Sequence, residues 1–139
     1  PDEEKLMGNT SYGSGYGDWI VKKPGHWIYE GTGLKENDRI EAIVGWEYHG
    51  PPLSDARDLE IVAEGPTTAK NLHTAVVYPG AKGNWVFNAG TIWWAEGLSQ
   101  PPGHIPAGTN GMMRTYGVSK HVQKITSNIL NRMIKDSKI

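Results

Sequence analysis

The sequence predicts an α+β fold in which short, mainly antiparallel strands precede one amphipathic helix. Runs of β-formers with alternating polarity recur between residues 39 and 94. Eighteen Gly and nine Pro, well above the usual combined share of roughly 12%, are spread along the chain without a repeat. That is the composition of short elements joined by many turns. Beyond residue 117 the apolar spacing becomes helical. With 139 residues the chain has room for one modest core, so residues 1–139 are expected to form a single unit.

Taken in order, residues 1–24 are polar and carry SYGSGYGDW, which has neither a strand nor a helix period, so they are expected to be an irregular lead-in. HWIYE (26–30) is short and aromatic, and is expected to be a strand. RIEAIVGWEYH (39–49) alternates around Ile40, Ala42 and Val44. PPLSDARD (51–58) is a polar loop, and LEIVAEG (59–65) sets Leu59, Ile61 and Ala63 on one face. TAVVYPG (74–80) and NWVFNAGTIWW (84–94) form a hairpin across PGAKGN. SQPPGHIPAGTNG (99–111) holds three prolines and three glycines and is expected to be a long loop. Val118, Val122, Ile125, Ile129 and Met133 recur at steps of four, three, four and four, with Leu130 and Ile134 widening the stripe. This predicts a helix over 118–134 whose Val122, Ile125, Ile129 and Met133 face the strands.

Composition excludes several classes. The 37% hydrophobic and 21% charged fractions are those of a globular chain, and a net charge of −1 gives no case for nucleic acid. There is no Cys, hence no disulfide framework and no thiolate site. No apolar run approaches the roughly 18 residues of a membrane span, and no secretory pattern is present, so a cytoplasmic location and no membrane partner are expected. The chain opens on Pro1 rather than Met, which suits a piece of something longer. Charge is uneven: thirteen of the fifteen acids lie in the first 64 residues, while six Lys/Arg and only Asp136 follow residue 113. The basic helix face is either simply solvated or docks an acidic partner.

The five histidines (His26, His49, His73, His104, His121) show no metal-binding spacing, and no phosphate loop, dinucleotide fingerprint or nucleophile elbow occurs. No metal is therefore expected within this chain. Six Trp against one Phe raise a second reading, a non-catalytic β-rich module that binds carbohydrate or another partner through flat Trp platforms. Against it, Trp93 and Trp94 are adjacent and in a strand would face opposite sides.

Glu30 holds the most interest. It lies between an aromatic run and a Gly-Thr-Gly turn. A carboxylate flanked by aromatics, with the Thr32 hydroxyl at hand to orient it, is a candidate general acid or base. The alternative is an ordinary solvated strand end.

Four segments tip the balance: HWIYEGTGLKENDRI, IVGWEYHG, NWVFNAGTIWWAEGL and VQKITSNILNRM, in this order and spacing. Together they resemble the C-terminal part of the large subunit of N,N-dimethylformamidase and its relatives, over residues 24–135. The resemblance implies part of a larger α/β enzyme, an iron-dependent amide hydrolase acting on a small linear amide. It also implies an iron centre whose ligands lie outside this chain. Partners would be the remaining large-subunit region, with a small subunit as a further candidate in an oligomer. Glu30 then matches the catalytic glutamate that relays a proton, and His26, Trp27, Tyr29 and Thr32 are positioning residues. The isolated chain is expected to be inactive. At His49 the family often carries Asp, which puts a role for an acidic pair with Glu47 in doubt.

Overall fold

A computed structural model describes residues 3–10, 12–100 and 117–136, with Tyr12 and Trp46 described by their backbone alone. The expected α+β class holds. Helix α1 (Glu3–Met7) leads into strands β1 (Tyr12–Ile20), β2 (Arg39–His49), β3 (Glu60–Pro66), β4 (Leu72–Pro79) and β5 (Trp85–Asn88), and helix α2 (Lys120–Asp136) closes the order. Two 3₁₀ turns, Trp27–Tyr29 and Trp94–Gly97, interrupt the connections. β1 and β2 pair antiparallel, and β3-β4-β5 form a second antiparallel sheet.

The two sheets are linked on both sides. Bridges Gly17–Thr67 and Val21–Ala63 join β1 to β3, and Tyr48–Thr91 joins β2 to the segment after β5. The strands therefore follow one another in a closed ring. Its interior holds Trp19, Val44, Tyr48, Val62, Ala63 and Ala75, all buried. Burying such side chains stabilises by about 1.5–3 kcal/mol each for the larger ones, as an upper bound.

The expected irregular lead-in is corrected over 12–20, which is a strand. Its period of two is carried by Gly13, Gly15 and Gly17, not by apolar residues. A bare face lets neighbours close in: a Cβ at Gly17 would stand 2.9 Å from the Pro66 carbonyl, and one at Gly13 would collide with the Tyr48 ring. A bulge at Asp18 follows, where the Asp18 carboxylate accepts from the Ala42 amide at 2.9 Å and pairs with Arg39 at 3.1 Å.

The strand expected at 26–30 is instead the first 3₁₀ turn. The His26 Nδ1 accepts from the Ile28 amide at 3.3 Å, capping the turn, and Glu30 N–H returns to the Trp27 carbonyl at 3.2 Å. β5 is also shorter than expected. Asn88 Oδ1 accepts from Gly90 N–H at 2.8 Å, and the chain then crosses to β2, where Thr91 Oγ1 donates to the Ile43 carbonyl at 3.0 Å. The expected loop at 99–111 lies almost wholly outside the described residues.

α2 forms close to where the periodicity places it. The Ser119 hydroxyl accepts from Val122 N–H at 3.4 Å at its start. Val122, Ile125 and Ile129 are buried, whereas Met133 is 43% exposed. The helix rests chiefly on the two 3₁₀ turns rather than on the strands, and Met133 lines an open groove with Trp85 instead of entering the core. Among the described residues no helix is long and apolar enough to cross a membrane.

Candidate functional site

Two bonds fix the first 3₁₀ turn from inside. The Tyr29 hydroxyl accepts from Trp19 Nε1 at 3.0 Å and donates to the Val62 carbonyl at 2.6 Å. Burial raises its pKa, so it stays protonated and its one hydrogen serves Val62. From outside, the Asn128 amide of α2 donates to the carbonyls of Ile28 and Glu30, at 2.8 Å each. The backbone of residues 28–30 is thus held between the ring of strands and α2.

Glu30 ends this turn with its side chain exposed. It lines an open groove of about 470 Å³ together with Trp27, Lys124, Asn131, Arg132 and Lys135. Gly31 has φ +72°, and a Cβ there would meet Lys124 Cε at 2.9 Å. The glycine after Glu30 therefore serves two needs, a left-handed backbone and a seat for the Lys124 stem. Three cations and one carboxylate line the groove.

The positioning residues part company. Trp27 lines the same groove, its ring edge-on to Trp85 at 4.9 Å and beneath the Arg132 guanidinium at 5.4 Å. Tyr29 is a core group, turned away from Glu30. The Thr32 hydroxyl donates to the Tyr29 carbonyl at 2.7 Å and accepts from Leu34 N–H at 3.1 Å, so it shapes the turn and does not orient the carboxylate. His26 is buried. Because its Nδ1 is an acceptor, its proton sits on Nε2, which faces Glu60 Oε2 at 3.2 Å. Burial lowers the His26 pKa against the opposing pull of Glu60, and a hydrogen bond from Lys23 holds the Glu60 carboxyl below its ordinary range. Glu60 lines a second groove, of about 270 Å³, which shares Trp27 and Arg132 with the first and is lined also by Asp58, Trp85 and Asp136.

Lys124, Asn128 and Arg132 lie within VQKITSNILNRM, one of the segments that carry the resemblance, but the sequence reading gave them no site role and took Lys124, Arg132 and Lys135 only as a basic face. Their place beside Glu30 follows from the docking of α2, which local spacing does not reveal. A further buried polar cluster was also missed. Asn88 Nδ2 reaches His49 Nδ1 at 2.8 Å and the Met7 carbonyl at 3.1 Å, beside a pocket of about 330 Å³ lined also by Glu47, Tyr48 and Thr91. Behind it, His73 Nε2 bonds the Ala89 carbonyl at 2.9 Å, and burial lowers its pKa to about 4.

Among the described side chains, the tryptophans named here share no flat exposed face. Trp19 and Trp93 are buried, and Trp27 and Trp85 meet at 73° rather than lying in one plane. As for a metal, no three His, Asp or Glu side chains among the described residues converge on a point where one could be held. The donor set of the described residues does not fit an iron ion.

Residues 1–110 match the family described as N,N-dimethylformamidase beta subunit-like, C-terminal. No curated protein and no solved structure matches the chain.

Proposed function

Because the chain belongs to the N,N-dimethylformamidase beta subunit-like, C-terminal family, we propose that it is the C-terminal region of an amide hydrolase and supplies one wall of the active site. The family description speaks of a subunit, which supports assembly with other chains, and a cytoplasmic, oligomeric enzyme belongs to the same reading. The observation that carries it is Glu30: a side chain without a partner among the described residues, on a backbone held at both sides, at the edge of a groove. Preorganised backbone with a free carboxylate is the arrangement that proton relay requires.

The chemistry is hydrolysis of an amide. Water oxygen bonds to the carbonyl carbon, the C–N bond breaks, and a proton must reach the departing nitrogen. Glu30 takes the proton from the attacking water and delivers it to that nitrogen, ending in its starting state. Iron, held by residues outside this chain, would polarise the carbonyl or activate the water.

The test is release of amine from N,N-dimethylformamide by the full-length protein carrying Glu30→Gln. Turnover should fall by about 10²–10⁴ with an unchanged melting transition. Near-normal turnover would return Glu30 to the status of a solvated turn end.

A further inference from the structure

Resting on the reading of this chain as one region of a larger enzyme, we propose that the outer face of α2 seats a segment of that enzyme, apolar along one side and acidic along its edge. The argument begins with the order of side chains around the helix. Val122, Ile125 and Ile129 mark the buried stripe. About a third of a turn round from it, Leu130 and Ile134 project one turn apart, 53% and 72% exposed. About a quarter-turn farther on come Lys120, Lys124 and Lys135, all exposed.

Two observations show this face to be unfinished. Among the described residues, three large exposed apolar side chains (Leu130, Met133 and Ile134) fall within five positions of this one helix. Exposed apolar residues scattered singly need no explanation, but a cluster does. The charges beside it are also uncompensated. Lys120, Lys124 and Lys135 have no ion pair among the described residues, and Asp136, the one carboxylate of α2, is taken by Arg132 at 2.6 Å.

The spacing of the cations selects the occupant. Lys124 and Lys135 are eleven residues apart, about 16 Å along the axis. That is too far to grip one small anion, but it suits carboxylates spaced along a protein segment. The apolar stripe beside them is where an amphipathic segment lays its apolar side. A second copy of α2 does not meet the need, because it brings lysines toward lysines with no free carboxylate of its own.

The consequence reaches the candidate site. Lys124 and Lys135 also line the groove that holds Glu30. A segment seated on them borders the same groove and adds a second wall to it. Its acids offset the lysine charges, so the finished groove suits a neutral amide better than the bare cations do.

The test is maleimide labelling of the full-length protein carrying Ile134→Cys, with Leu72→Cys and Lys82→Cys, also at exposed positions, as separate controls. Labelling is followed on the peptide that bears each cysteine. Ile134→Cys should react at least about tenfold more slowly than both controls, although Ile134 is more exposed than Leu72 within this chain. Adding Leu130→Asp, or Lys124→Glu/Lys135→Glu, should raise that rate again by about tenfold. On the protein without substitutions, a carbodiimide, which joins an amine directly to a carboxylate in contact, should link Lys124 or Lys135 to an Asp or Glu outside residues 1–139. Labelling of Ile134→Cys as fast as the controls, or no cross-link from either lysine, overturns the proposal. So does a cross-link to this same region of a second copy, which would make the face a contact between like chains. If Ile134→Cys is open while Glu30→Gln still lowers turnover, the proton relay stands and this inference alone falls. Shielding of Ile134→Cys with normal turnover in Glu30→Gln would do the reverse.

Discussion

Asn128 donates to the Glu30 carbonyl at 2.8 Å, and with its second hydrogen to the Ile28 carbonyl at the same distance. One side chain of α2 thereby ties down the turn that ends in the candidate catalytic residue. Asn128→Leu leaves two carbonyls without these partners and should cost about 1–3 kcal/mol, the usual penalty for stranded polar groups. Asn128→Asp should be worse, because it points a carboxylate at two carbonyl oxygens. Thermal denaturation of both variants checks the order.

The packing of α2 predicts a sharp contrast along one helix. Ile129 is buried against the first 3₁₀ turn, whereas Ile134, five residues on, is 72% exposed. Ile129→Ala should destabilise by about 2–5 kcal/mol, and Ile134→Ala should stay within about 0.5 kcal/mol. Urea midpoints of the two proteins decide the matter. Similar losses at both sites would mean that the helix is docked by a different face.

The bare face of β1 predicts that a single methyl group is harmful. Gly17→Ala puts its Cβ 2.9 Å from the Pro66 carbonyl, a backbone atom that cannot swing aside, and should cost about 1–3 kcal/mol. Gly25 has nothing within 4 Å of the same added carbon and an ordinary φ. Gly25→Ala should be neutral or stabilising by up to about 1 kcal/mol, through a less flexible unfolded chain. Chemical denaturation of both proteins provides the comparison.

Acid should weaken the fold through His73. Its pKa falls from an ordinary 6.5 to about 4 on folding, mainly through burial. The unfolded chain thus binds the proton more tightly. The contribution is intact above pH 6.5 and is lost progressively as the pH falls toward 4, on the order of 3 kcal/mol in all. His26 and His49 shift in the same direction, so the diagnostic quantity is the difference from a His73→Gln variant. That variant should show a flatter stability profile between these two pH values.

The β runs at 39–49, 59–65 and 74–80 and the helix could be read directly because apolar side chains carried their periods. β1 could not. Its period lay in glycines, which hydrophobic patterning ignores and turn rules misassign. The segment at 26–30 misled for a related reason: its aromatics favour strands locally, but the His26 cap and the Gly-Thr-Gly exit impose a turn, and the turn's burial against Val62 decides the outcome. At the site, Glu30 was visible through its surroundings in the sequence. Asn128 and Lys124 lie about a hundred residues away in the chain, and only tertiary docking brings them beside it.

Tyr29 has a consequence that is mechanical. Its hydroxyl takes a hydrogen from Trp19 on one sheet and gives its own to Val62 on the other, so the phenol ring works as a rivet through both. Glu30 is the next residue. Any sliding of one sheet over the other must either break one of these bonds or drag the rivet with it, and the carboxylate moves when the rivet moves. The groove wall and the ring of strands are one solid part, and a partner that twists the sheets would reset the position of Glu30 from the opposite side of the core.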